Sequence, residues 1–323
     1  MMKRLYKLLG VLILAGTCAQ ASAQTYPAKP IRLVVGFAPG GAADFVARAI
    51  SEPLSKALGQ PIVVENRAGA GSSIAADYVA KSAPDGYTML IASPSSISVN
   101  PTLNSKLGYS LRDFAPITKV SNSPLLITAY PGLGVNSIKE LIAVAKKSPG
   151  KLNYSSSGNG SAPHLAGVLF GQLAGIDIVH VPFKGGAPSV QSVLAGDTQL
   201  TFATPPSVLP LVHSGRLRAL AVTSRKSTPL VPGVPGMEEA GLPDYEISFW
   251  YGFFVPAATK PEIVKKLYDA TITALQQAQV KQAFAREGTE VATSSSPADF
   301  AAFLAENNKL WVHLVKESGA TLD

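Results

Sequence analysis

Cysteine is nearly missing from this 323-residue chain: Cys18 is the only one, and it falls within the first 20 residues. If that segment is removed, no disulfide, zinc thiolate or cysteine nucleophile remains, and stability has to come from core burial. Histidine is scarce as well, with four residues, which leaves few candidates for a general base or a metal ligand. No GxSxG elbow, HExxH pair, Walker A loop, GxGxxG turn or spaced cluster of metal ligands occurs. A hydrolase is therefore disfavoured, and neither cofactor nor metal is expected. Basic residues exceed acidic ones by only 28 to 21, with no basic run interleaved with aromatics, so nucleic acid is not an expected partner. Apolar runs also stay short of the roughly 20 residues that a spanning helix needs. Fixed-period repeats and low-complexity tracts are absent, which directs the search for function to the loops.

What the first 23 residues do contain is a basic start, Lys3, Arg4 and Lys7, then an apolar run from Leu8 to Ala15 and the small-residue sequence Ala21-Ser22-Ala23. That order predicts a secretory signal peptide over 1–23, cleaved between Ala23 and Gln24. The mature chain would keep 300 residues with 25 basic and 21 acidic groups, a net charge of +4. Lipidation of Cys18 is the alternative, but Thr17 immediately before it fits a lipoprotein signal poorly.

Short apolar strands alternate with amphipathic helices along the rest, the pattern of stacked βαβ units on a largely parallel sheet. IRLVV at 31–35 reads as a buried strand. Val46, Ile50, Leu54 and Leu58 give the following helix one apolar face that ends near Gly59. PIVVEN and YTMLIAS supply two more strands, with the helical stretch SSIAADYVAKSAPDG between them. A second series starts at PLLITAY, 124–130. Ser137-Ile138-Lys139-Glu140 predicts a capping box, and LNYSS, IVHVPF, QLTFA and LRALAVTS predict four strands separated by helices at 161–174, 186–195 and 207–214. EISFWYGFFVPA then reads as a long strand returning the chain to the first unit. A helical segment from Pro261 to Gly288 follows, and a last helix opens at Ser296-Pro297-Ala298-Asp299. The expected fold class is α/β, with two doubly wound domains: residues 24–124 plus 246–323, and residues 125–245.

Two glycine-rich turns stand out, VGFAPGGAADF at 35–45 and SSSGNGSAPHL at 155–165, each between a predicted strand and a predicted helix. Glycine permits close backbone approach, and a helix start offers unpaired amides and a favourable dipole, so each turn is a candidate anion nest. The first contributes Phe37, Ala38, Pro39, Gly40, Gly41 and Asp44, the last expected to brace the loop or to meet a ligand directly. The second contributes Ser157, Gly158, Asn159, Gly160 and Ser161, the last also a helix cap, with His164 one turn on. Because ligands of open α/β sheets sit beyond the strands' carboxyl ends, Ser93, Ser95, Phe183 and Lys184 are further candidates. Core packing and surface ion pairing are the competing roles for the phenylalanines and the lysine.

The chain resembles the extracytoplasmic solute receptors of tripartite tricarboxylate transporters, the Bug or TctC family. The segments that carry this are YPAKPIRLVVGFAPGGAADFVAR, LGQPIVVENRAGAGSSIAA, PDGYTML, YSSSGNGSAPHLAG, VPFKGGAPSVQSVLAG, WYGFFVPA and KESGATLD. The resemblance implies a two-domain periplasmic binding protein of type II, with a ligand cleft between the domains and crossing strands as hinge. It implies a small carboxylate ligand, whether di- or tricarboxylate, amino acid or aromatic acid. One loop from each domain, Phe37 to Asp44 and Ser156 to Ser161, would grip it through main-chain amides and water, with His164, Phe183 and Lys184 nearby. A two-subunit membrane permease is the implied partner, a sensor kinase the alternative, and the receptor is expected to act as a periplasmic monomer. Two residues depart from the family pattern: Ala43 stands where a hydroxyl residue is frequent, and Phe183 where tyrosine is.

Overall fold

The computed structural model describes residues 26–104 and 106–318; the predicted signal peptide, its cleavage site and Cys18 lie outside them. Two sheets organise the chain. The first contains β1 (Ile31–Val35), β2 (Ile62–Asn66), β3 (Thr88–Ala92), β4 (Phe114–Pro124), β10 (Ser248–Pro256) and β11 (Glu290–Val291), in the order β11-β4-β10-β3-β1-β2. The second contains β5 (Leu126–Ala129), β6 (Leu152–Ser156), β7 (Ile178–Pro182), β8 (Leu200–Ala203) and β9 (Arg218–Val222), in the order β7-β6-β8-β5-β9.

Parallel βαβ units form only part of each sheet. Strand β1 runs parallel to β2 and β3, and β6 parallel to β7 and β8. In contrast, β10 is antiparallel to β3 and β4, and β5 is antiparallel to β8 and β9. The sheets are thus mixed where the sequence predicted largely parallel ones. The antiparallel pairs arise because β4 leads into β5 through Leu125 alone, while β9 returns to β10, so both crossings come from strands rather than helices. Sequence patterning missed two-residue β11 and eleven-residue β4, the latter because Pro116, Lys119 and Asn122 interrupt any apolar run.

Helices α1 (Ala42–Leu58) and α2 (Ser73–Ala80) cross over in the first sheet, with short α3 (Asn100–Leu103) after β3. Helices α4 (Ile138–Lys147), α5 (Ala162–Ala174), α6 (Gly186–Ala195) and α7 (Pro205–His213) belong to the second. Local signals set their ends: α1 stops at left-handed Gly59, and Ser137 Oγ accepts the Glu140 N–H at the start of α4. The predicted capping box is only half made. The Glu140 carboxylate accepts from the Asn136 N–H, one residue ahead of the cap, at 2.7 Å. Toward the C-terminus, the expected single helix breaks at extended Gln277 into α8 (Pro261–Gln276) and α9 (Ala278–Arg286), before α10 (Pro297–Ser318). The break turns Phe284 against Phe45 of α1, ring centroids 5.9 Å apart.

One apolar cluster passes through both sheets, linking Leu33 and Val35 to Ile127, Tyr154 and Phe202 by way of Leu125, Phe249 and Tyr251. Each sheet adds an outer layer of its own, around Trp250, Phe254 and Phe300 in the first and Val190, Val193 and Val222 in the second. Where the strands cross, buried Thr223 ties the connections together. Its Oγ1 accepts the Leu125 N–H at 2.7 Å and donates to the Ile247 carbonyl at 2.7 Å, while its own N–H reaches the Leu125 carbonyl. Thr223→Val keeps the shape and leaves one buried donor and one buried acceptor unpaired, so a loss of about 3 kcal/mol is expected in urea unfolding. An unchanged midpoint would count against this role.

Candidate functional site

The first glycine turn leaves the carboxyl end of β1 and enters α1. Asp44, 4% exposed, holds its shape: Oδ2 accepts from the Gly40 N–H at 3.0 Å and Arg48 Nε at 2.9 Å, and Oδ1 from Asn66 Nδ2 at 3.0 Å. Asn66 Nδ2 also reaches the Phe37 carbonyl. Burial by itself raises the Asp44 pKa, but the hydrogen bonds from Arg48, Gly40 and Asn66 outweigh it and hold the carboxyl below its ordinary value. Gly41, at φ −87°, is the N-cap of α1, and no side chain caps the helix there. The first amides of a helix have no intrahelical partner, so this end keeps its donors and its partial positive charge.

The second glycine turn is different, because its amides are used internally. Gly158 N–H donates to Ser156 Oγ, Gly160 N–H to His164 Nδ1, and Ser161 N–H to the Gly158 carbonyl, each at 3.1 Å. Helix α5 behind it is capped by Ser161 Oγ, which accepts the His164 N–H, and by Ser95 Oγ of the first sheet's half, which accepts the Ala162 N–H at 3.0 Å. Two termini on this side lack a side-chain cap: that of α7, which opens on Pro205 and Pro206 and so offers no N–H there, and that of α6. Its N-cap is Gly185, without a side-chain cap, followed by Gly186 and Ala187.

The α1 and α6 ends face each other. A Cβ built on Gly41 would lie 4.0 Å from the Gly186 nitrogen, and one built on Gly185 would lie 3.3 Å from the Ala38 nitrogen. Between them is a cavity of about 30 Å³. Phe37, Gly41, Ala42, Ala43, Ser95, Phe249 and Tyr251 line it from one side; Ser157, Pro163, Gly186, Ser189, Thr201, Ala203, Thr204 and Ser207 line it from the other. No charged side chain is among these residues. A buried water takes roughly 10–15 Å³ on this measure, so the space suits two oxygen atoms, the size of a carboxylate head. A second cavity of about 340 Å³ adjoins it and shares Phe37 and Ser157.

Of the residues singled out by sequence, Phe37, Gly41, Ser95 and Ser157 line the first cavity, and Phe37, Ser157, Gly158, Asn159, Phe183 and Lys184 line the second. Ala38, Pro39, Gly40 and Asp44 shape the first turn outside both. Ser93 is wholly buried beneath its own turn, its N–H directed to Ser96 Oγ. Gly160, Ser161 and His164 stand behind the second turn. The His164 ring stacks on His180 at 3.9 Å, and His180 Nε2 lies 2.6 Å from Ser156 Oγ. Burial lowers the His164 pKa to about 4, and burial together with His164 lowers that of His180 to about 3. Both rings are therefore neutral braces of the loop. Sequence reading placed Phe183-Lys184-Gly185-Gly186 beyond a strand's carboxyl end as a candidate lining, without distinguishing its glycines as an uncapped helix start, and it missed the wall at Gly69–Ser73 and Phe249 and Tyr251 on a crossing strand. Gly-Gly-Ala recurs at 40–42 and 185–187, a signal that pairs the two helix starts.

The model of the tripartite tricarboxylate transporter family receptor matches residues 46–320. Protein BugT of Bordetella pertussis is 39% identical over 324 residues, covering 99% of each chain. Among solved structures, the periplasmic binding protein BugD is similar at 33% identity and a TM-score of 0.87, covering 92% of this chain and 99% of its own. R. palustris Rpa4515, solved with adipate, is 35% identical with a TM-score of 0.88, covering 92% of this chain and all of its own.

The neutral histidines set a pH dependence. Unfolded histidine titrates near 6.5, so the unfolded chain binds more protons than the fold between there and pH 4. The stability is full above pH 6.5 and is lost as pH falls toward 4, by about 3 kcal/mol for His164 alone. Urea midpoints measured across that range are expected to fall, and His164→Gln to flatten the fall; a level profile in the unsubstituted protein would refute the assignment.

Proposed function

The chain belongs to the tripartite tricarboxylate transporter receptor family, and from that premise we propose that it is a periplasmic solute receptor closing on a small carboxylate for delivery to a two-subunit membrane permease. One observation carries this reading: two uncapped helix starts, α1 from the first sheet and α6 from the second, meet across a cavity without a charged side chain. Each positive helix end favours an anion, and two of them aimed at one carboxylate-sized space favour it more than either alone.

The division into residues 24–124 with 246–323 and residues 125–245 fits this reading, since the two sheets fall on either side of it. In the open form, the α1 turn captures the carboxylate with amides fixed by Asp44 and Asn66. Rotation about Leu125 and Thr223 then brings Gly185 and Gly186 against the other side. Closure completes the site, and the closed shape is what the permease reads. Catalysis finds no support in the lining: its hydroxyls have no base beside them, since buried His164 and half-buried His180 stand neutral behind the loop.

The test is a thermal-shift screen of residues 24–323 against a panel of carboxylates. A true ligand at 100 times its dissociation constant stabilises by about 2.7 kcal/mol; absence of any shift across the panel would overturn the proposal. Gly41→Val is expected to abolish the shift. Its φ of −87° accepts valine without strain, so the ligand-free protein should keep its melting temperature while the added methyls fill the gap to Gly186. Retained binding in that variant would remove the α1 terminus from the site.

A further inference from the structure

Asn100, at the start of α3, is wholly buried and only half satisfied. Its Nδ2 donates to the Ala70 carbonyl at 3.2 Å, the Gly71 carbonyl at 2.9 Å and Ser73 Oγ at 2.7 Å. These bonds hold a segment whose backbone stays at positive φ: +136° at Gly69, +47° at Ala70, +59° at Gly71 and +79° at Ser72. They also fix the amide's orientation, since turning it over would set Oδ1 against two carbonyl oxygens. Oδ1 itself has no hydrogen-bond partner among the described residues. What covers it comes from the other half of the molecule. A Cβ built on Gly160 would lie 2.4 Å from Asn100 Oδ1, and one built on Gly71 would lie 2.9 Å from the Asn159 carbonyl oxygen. Gly160 brings no donor in return, because its N–H is directed to His164 Nδ1.

Sealing an acceptor from water without a partner costs more than an ordinary hydrogen bond gains. Here the cost belongs to the closed arrangement, because Gly160 and Asn159 sit on the second half and withdraw with it, leaving Oδ1 to water. Beside it the Ala162 N–H meets Ser95 Oγ across the same boundary, but each gives up a water to do so and the exchange is nearly even. We propose that Asn100 is a positioning residue that keeps the empty protein open, its orphaned Oδ1 acting as a penalty on closure that a bound anion has to outweigh. This rests on the receptor reading above. Asn100 lines neither cavity, so it acts through the second glycine turn and weighs equally on every ligand. An empty receptor then does not present the permease with the shape of a loaded one.

Small-angle scattering of residues 24–323 without ligand is expected to give a radius of gyration larger than that of the closed structure; an equal one would overturn the proposal. Calorimetric titration with malate, succinate and adipate then separates a closure penalty from a mere brace. Asn100→Ser draws the side chain back from Gly160, keeps a hydroxyl for the loop and leaves room for a water on its carbonyls. Each of the three acids that binds should bind that variant about tenfold more tightly, by one common factor and through slower dissociation. Asn100→Asp keeps the orphaned oxygen and gives it charge, so the same acids should bind at least tenfold more weakly. A brace predicts weaker binding in both variants, and that result, or a factor that differs between acids, would overturn the proposal. If none of the three acids binds, the receptor reading fails, and scattering decides on Asn100 alone: ligand-free Asn100→Ser should move toward the closed radius, and no movement sinks it. Should Asn100→Ser not fold, the scattering of the unsubstituted protein and the loss in Asn100→Asp remain as tests.

Discussion

Two helix starts pointed at each other repel, since each presents partial positive charge and donors without acceptors. In this protein α1 and α6 are held in that arrangement by everything around them. Asp44 and Asn66 fix the α1 turn from behind, and the glycines at 41, 185 and 186 let backbone meet backbone where side chains would keep the halves apart. Nearby α5 is relieved of the same conflict by two hydroxyl caps, one of them, Ser95, reaching over from the other half of the molecule. The contrast distinguishes a terminus built to contact its own protein from one left to contact something else. An anion placed in the gap would resolve the repulsion.

Polar groups behind the site follow a consistent logic. Asp44 is charged and fully paired; His164 and His180 are neutral and stacked, with ring nitrogens engaged by Gly160 and Ser156. None of them lines the first cavity. That cavity presents amides, hydroxyls and aromatic faces, which can mark the positions of oxygen atoms without adding a competing charge. The larger neighbouring cavity differs in having one charged side chain, Lys184, among its lining residues.

Much of this was legible in the sequence. Buried parallel strands such as β1 are mainly apolar runs, and the ends of the helices between them were marked by Gly59 and Pro84-Asp85-Gly86. Strand β4 was not, because a crossing strand packs differently along its length and carries Pro116 and Asn122 where it leaves one environment for another. For the site, residue type identified both glycine turns but not which amides remain available. Ser95 capping α5 depends on a contact across 67 positions. The left-handed run at Gly69–Ser72 was hidden for a related reason: nothing local in Ala70 or Ser72 demands positive φ, so tertiary context imposes it.

The strand order of the first sheet has a consequence for how the chain becomes a protein. Strands β3 and β4 are both complete by residue 124, yet they do not pair; β10, residues 248–256, lies between them. The middle of that sheet is thus supplied after the whole second sheet has been made. Until it arrives, β4 has no neighbour, and the apolar cluster joining the halves lacks Phe249, Tyr251 and Phe253. Contacts so distant in sequence form slowly. The first sheet therefore cannot be completed, nor the two halves joined, before residue 256 has been made.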